Sequence, residues 1–218
     1  MPGLSTFQLV AVAILPLIFA ITVHEVAHGW MAKRLGDPTA QRLGRLTLNP
    51  LKHIDPIGTL LVPGVLLLLG GFVFGWAKPV PVTWENLRHP KRDMAIVAAA
   101  GPVSNMLMAV IWALVAKIGT ATADGSMWAG APLYYMGVFG ISINIVLMVL
   151  NLIPLPPLDG GRVAVGLLPG RLAYSLSRVE PYGFFILIAL LVSGALGIIM
   201  HPISNALTML VLSLAGLS

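Results

Sequence analysis

The chain contains no cysteine. Disulfides and thiolate ligands are therefore excluded, and any bound metal would have to be held by His, Asp or Glu. Charge is nearly as scarce: Asp, Glu, Lys and Arg make up 10% of the 218 residues against 57% hydrophobic ones, and the mean hydropathy is +0.91. That leaves too little polar surface for a soluble globule of this size and indicates an all-α polytopic membrane protein. No polar stretch is long enough for an appended soluble domain, since the longest, Ala32 to Pro56, has about 25 residues. Repeats and low-complexity segments are missing too. The chain reads as a single membrane-embedded domain over residues 1–218. The net charge of +5 is better explained by topology than by nucleic acid, which is not expected as a partner. No Lys or Arg precedes Lys33, which argues against a cleaved signal peptide and for retention of the first helix.

What is present is a set of apolar runs. Five could cross a bilayer as helices, at about Thr6–Leu35, Met94–Ile118, Leu133–Ile153, Gly183–Met200 and Ile203–Leu217. His201-Pro202 would mark the turn between the last two. A sixth run, Ile57–Trp76, is short and interrupted by Pro63, Gly64, Gly70 and Gly71. Charge decides how to read it. Lys33, Arg34, Arg42, Arg45 and Lys52 precede it, and Lys78, Arg88, Lys91 and Arg92 follow it, so the positive-inside rule places both flanks in the cytoplasm. A re-entrant hairpin satisfies that and a full crossing does not. The remaining segments then run out and back, with the N-terminus outside, the C-terminus in the cytoplasm and Lys117 as the one basic residue outside.

His24-Glu25-Val26-Ala27-His28 lies within the first of these runs. On a helix the two imidazoles share one face, one turn apart, so both can reach one divalent ion while Glu25 stands beside them as general base. Ionisable groups are expensive in a bilayer and are by default functional there. A catalytic zinc site needs three protein ligands and a position for water. Asp37, nine residues past His28, is one candidate for the third; the ordinary reading of it, as of Asp93, is a solvated loop carboxylate. Asp159 is the better candidate. It follows Pro154, Pro156 and Pro157 and precedes Gly160 and Gly161, a stiff turn that can aim a carboxylate. The hairpin topology also brings it to the cytoplasmic end, where His24 and His28 lie. One Zn2+ per chain is the expected cofactor. Asn105 and Asn151, amides in apolar helices, are candidates for binding substrate backbone or a developing oxyanion. A metal-ion transporter or a non-catalytic metal protein would use the same ligands, but the segments after Asp159 lack the distributed polar residues of an ion path.

These motifs together resemble the site-2 protease family of intramembrane zinc metalloproteases. The resemblance rests on His-Glu-x-x-His at 24–28, Leu-Asp-Gly at 158–160 with its lead-in at Asn151, Pro154 and Pro156, Gly101-Pro102-Val103-Ser104-Asn105, and Phe74 to Val82. It implies a three-helix catalytic core within about residues 6–162, followed by a C-terminal helical pair at about 183–217. It further implies a zinc endopeptidase that cleaves transmembrane protein substrates near the cytoplasmic side of a bilayer, in a prokaryotic cell membrane, in regulated intramembrane proteolysis.

Overall fold

The structure is a computed structural model that describes residues 5–61, 65, 77–123 and 127–217. It is helical, with no strand among the described residues. Helix α1 (Thr6–Arg34) starts on a capping box in which Ser5 and Gln8 exchange side-chain and backbone hydrogen bonds, and ends on Lys33 and Arg34. The box satisfies orphan amides of the first turn, and cations suit the last turn because carbonyls point their negative ends there. A short helix α2 (Thr39–Arg42) follows. The long helices α3 (Pro90–Ala123) and α4 (Met127–Asn151) form an antiparallel pair. Beyond them lie α5 (Asp159–Leu167), α6 (Gly170–Ser177), α7 (Glu180–Val192) and α8 (Ala195–Ala215).

Apolar surface gains little by leaving lipid for another helix, so association in a bilayer depends on close packing. Here small residues supply it. A Cβ on Gly137 would lie 2.4 Å from the Ala116 nitrogen, and one on Gly140 would lie 2.3 Å from Trp112 Cγ. The absent side chains let α3 and α4 meet backbone to backbone. Around that contact Met108, Ala109, Trp112 and Ala113 of α3 pack against Ile141, Ile145, Met148 and Val149 of α4 and Val211 of α8.

Among the described residues, α1, α3, α4 and α8 are each long and apolar enough to cross a membrane. Helix α7 has 13 residues, about 20 Å, which is short of the roughly 30 Å hydrocarbon core. It joins α6 through a bend of 63°, so the pair qualifies at most as one broken span. The C-terminal pair thus divides differently from the sequence expectation. The chain turns at Gly194, whose φ of +77° is the left-handed conformation a glycine adopts freely. His201 and Pro202 lie inside α8 instead of at a turn, a tolerated place for proline in a membrane helix. The end of α8 also lies elsewhere than expected. Gly216 and Leu217 line a cavity with Gly119, Thr120, Gly130 and Tyr134, and the Lys117 ammonium approaches Gly216. The C-terminal end of α8 therefore shares the Lys117 end of the bundle, opposite the metal motif. Helix α8 is thus long and apolar enough to cross by itself, while α6 and α7 add a crossing only if the bent pair is taken as one span.

Most of the expected hairpin lies outside the described residues, but its flanks are described. Lys78 N donates to His53 O at 2.9 Å, and Arg45 Nη2 donates to Lys78 O at 2.9 Å. A full crossing between residues 53 and 78 would set them about 30 Å apart. Both ends of the segment therefore lie on one side.

The loops at this end are tied by Asp37, which is 0% exposed and accepts hydrogen bonds from Thr39 N and Oγ1, Thr83 N and Asn86 Nδ2. The solvated surface reading of Asp37 is thus corrected: four donors replace its hydration and join the end of α1 to residues 83–86. Asp93, 3% exposed, likewise turns inward to accept from His89 N. Burial alone would raise the Asp37 carboxyl above its ordinary value of 3.8, but hydrogen bonds from Thr39, Asn86 and Thr83 outweigh it and hold it lower. A depressed folded pKa means that Asp37 stabilises fully above the ordinary value and loses that contribution as pH falls through the folded one. Asp37→Asn should cost on the order of 2–4 kcal/mol at pH 7 and flatten the loss of stability below pH about 4. Thermal unfolding in detergent across pH checks both. In a second test, single cysteines at Thr47 and Thr83 should react with an impermeant thiol reagent from one side of oriented membranes. Cysteines at Thr122 and Leu217 should react from the other, and a Leu217 site labelling with Thr47 would contradict the placement of the end of α8 beside Lys117.

Candidate metal centre

Helical periodicity puts His24 and His28 on the same face of α1, their rings edge-to-face with centroids 4.7 Å apart. They meet α3 where it has no side chain. A Cβ on Gly101 would lie 2.5 Å from His28 Nε2 and 2.6 Å from His24 Cε1, so only glycine at 101 lets α3 close over both rings. Sequence reading placed Gly101 in a family motif without seeing this contact.

Each ring is oriented by its other nitrogen. His28 Nδ1 lies 2.8 Å from the Val97 carbonyl, and since a carbonyl only accepts, Nδ1 carries the proton. His24 Nδ1 lies 2.6 Å from Asn105 Oδ1. Asn105 Nδ2 donates to Ala20 O at 3.2 Å and to Asn144 Oδ1 at 2.9 Å, which identifies Oδ1 as the acceptor and Nδ1 of His24 as a donor. Asn144 donates in turn to Gly140 O at 2.8 Å. With Nδ1 so engaged, the neutral form of each imidazole presents a bare Nε2. Val97 and Asn144 carry no sequence signal for this part, since a backbone carbonyl has no residue identity and one amide in an apolar helix resembles another.

Asp159 opens α5, and the glycines after it let the helix start hard against the preceding turn. A Cβ on Gly160 would lie 2.3 Å from Leu152 O, and one on Gly161 would lie 2.2 Å from Pro156 N. The turn is backed from the other side by α7, where a Cβ on Gly183 would overlap Pro156 O. So placed, Asp159 Oδ2 lies 3.2 Å from His24 Nε2 and 3.3 Å from His28 Nε2, and the two Nε2 atoms are 3.1 Å apart. Side-chain exposure is 10%, 12% and 11% for His24, His28 and Asp159.

These three atoms are acceptors facing acceptors. Asp159 Oδ2 is buried without a hydrogen-bond donor, and lone pairs held this close repel unless a cation sits among them. Tetrahedral bonds of about 2.0–2.2 Å to zinc set ligand atoms about 3.3–3.5 Å apart, and the observed edges of 3.1 to 3.3 Å fall at or within about 0.2 Å of the lower end of that range. Asp37 remains in its loop, its oxygens engaged by four donors.

Glu25 is half-buried beside the pair, and its Oε2 accepts from Val80 N at 2.7 Å. Asn105 is 0% exposed and spends both amide hydrogens within the bundle, so its contact with the centre is through His24. Asn151, partly buried at the end of α4, donates one amide hydrogen to Leu147 O at 3.0 Å.

Peptidase family M50 matches residues 12–121 and 117–194. YwhC of Bacillus subtilis, provisionally named a zinc metalloprotease, is 37% identical over 196 residues, covering 88% of this chain and 85% of that protein. Rip2 of Mycolicibacterium smegmatis, provisionally named likewise, is 31% identical over 180 residues, covering 82% of this chain and 66% of the other. The Yersinia pestis protein named Protease RseP is 29% identical over 174 residues, 74% of this chain and 37% of its own length. No solved structure matches significantly. With the motif helix, the aspartate turn and the buried polar cluster all inside the matched residues, the chain belongs to peptidase family M50, the site-2 proteases.

Proposed function

We propose that this chain is an intramembrane zinc endopeptidase, with His24, His28 and Asp159 as the zinc ligands and Glu25 as the general base. The observation that carries the reading is the convergence of three bare acceptor atoms in an apolar bundle. Zinc held there supplies a bound water of lowered pKa and polarisation of the scissile carbonyl. Glu25 takes the proton of the attacking water and passes it to the leaving amine nitrogen. Asn151, with an amide hydrogen to spare, binds the substrate carbonyl or its developing oxyanion, and Asn105 holds His24 in the tautomer that leaves Nε2 free. The family name supports peptide hydrolysis, and the apolar spans support a transmembrane protein segment as substrate in the bilayer, unwound before cleavage because a helix hides its amides.

Twelve of the thirteen basic residues lie on the segments that pack at the metal end, with Lys117 at the other. This supports a centre that faces the cytoplasm of a prokaryotic cell membrane. The whole chain acts as one membrane-embedded domain, its core within about residues 6–162, in regulated intramembrane proteolysis.

The ligand set separates from the base by measurement. Purified protein should hold one zinc per chain, His24→Ala, His28→Ala and Asp159→Ala should each lose most of it, and Glu25→Gln should keep it. Turnover of a single-span reporter protein in proteoliposomes should fall about 100- to 10,000-fold in Glu25→Gln. Asn105→Ala should weaken zinc binding about 10- to 100-fold, since the ligand loses its orienting partner. Zinc loss in Glu25→Gln equal to that in His24→Ala, by elemental analysis, would overturn the assignment of roles.

A further inference from the structure

The segment Ala77–Thr83 lies over α1 and is held at both ends. Lys78 is tied through its N–H to His53 O and through its carbonyl to Arg45, and Thr83 N is tied to Asp37 Oδ2 at 2.7 Å. Between the ties, Pro79 and Pro81 have no N–H to offer. Val80 is thus the one residue of the triplet that can donate, and it donates to Glu25 Oε2 at 2.7 Å. Its side chain sets that register. Val80 is 7% exposed, and a Cβ on Gly29 would lie 2.8 Å from Val80 Cγ1 and 2.6 Å from Leu46 Cδ2. Gly29 stands one turn beyond Glu25, so the glycine hollow on α1 seats Val80 and delivers its N–H to the carboxylate.

We propose that the Val80 backbone N–H is a positioning group for Glu25, holding one carboxylate oxygen so that the other is presented to the attacking water. A carboxylate on a free glutamate side chain samples several rotamers, and one charge-assisted hydrogen bond from a pinned backbone removes most of them. The inference rests on Glu25 acting as the base, and its contact with Val80 is measurable without turnover.

The prolines make that measurement clean: within residues 79–81 the only exchanging amide is that of Val80. In the full-length, detergent-solubilised protein, Glu25→Ala should speed hydrogen exchange at Val80 about tenfold or more and leave the Thr83 amide unchanged. Unchanged exchange at Val80 would overturn the proposal, even if Glu25 proves essential. In zinc-loaded enzyme acting on the single-span reporter, Val80→Pro should have a kcat about 10- to 100-fold below that of Val80→Ala, which keeps the N–H. KM and zinc content should match between the two. Equal kcat for the two variants would overturn the proposal, and if Val80→Pro fails to fold, the exchange experiment alone decides. Full turnover in Glu25→Gln with fast Val80 exchange in Glu25→Ala would instead remove the base assignment and leave the contact standing.

Discussion

Three lone pairs pointed at one another inside an apolar bundle constitute the constraint on which the rest of this structure depends. His24 Nε2, His28 Nε2 and Asp159 Oδ2 come within 3.1 to 3.3 Å, an arrangement that is unfavourable without a cation and cannot relax into water. Its persistence requires that every neighbouring group be locked. The Nδ1 donors are consumed by Val97 O and Asn105 Oδ1, so neither ring can flip to hide its bare nitrogen without abandoning a buried hydrogen bond.

That locking explains where the bundle places its small residues. Asn105 anchors to Ala20 O on α1 and to Asn144 on α4, so one amide side chain joins the three long helices around the ligands. Gly101 lets α3 close on the imidazoles, Gly137 and Gly140 let α4 close on α3, and Gly160, Gly161 and Gly183 let α5 and α7 close on the aspartate turn. At each, a methyl carbon would lie less than 3.0 Å from a neighbouring atom, so something would have to shift. Apolar attraction cannot supply such precision in lipid, since neighbouring acyl chains are as apolar as any leucine.

Outside the apolar layer the logic changes, because backbone there is irregular and must find side-chain partners. Asp37 collects four donors, Arg45 holds the Lys78 and Pro79 carbonyls, and Glu25 takes the Val80 amide. Arg162, three residues past Asp159, lies over the Trp84 ring at 5.3 Å and reaches Glu180 at 3.6 Å, linking α5 to both the 83–86 turn and the start of α7. The loops are thus fastened to the same helices that carry the ligands, so the approach to the centre and the centre itself share supports.

The sequence by itself determined the membrane class, the pairing of His24 with His28, the place of Glu25 beside them and the one-sided flanks of residues 57–76. Those follow from local rules: composition, a helical period of 3.6, and the distribution of Lys and Arg. Topology made Asp159 eligible as a third ligand, since a carboxylate on the wrong side of the bilayer cannot reach His24 and His28, and its proline-glycine turn set it apart from Asp37. Tertiary structure decided what depends on exact distance. It turned Asn105 from a candidate substrate ligand into the partner of His24, because both its amide hydrogens are spent within the bundle. It buried Asp37 and made Gly101 a condition of ligand geometry. It also placed the end of α8 beside Lys117, with the break at Gly194 leaving α7 too short to cross by itself. Hydropathy marks which residues prefer lipid, but not where an apolar stretch turns, since breaking a helix depends on a backbone conformation that Gly194 adopts and Pro202 does not impose.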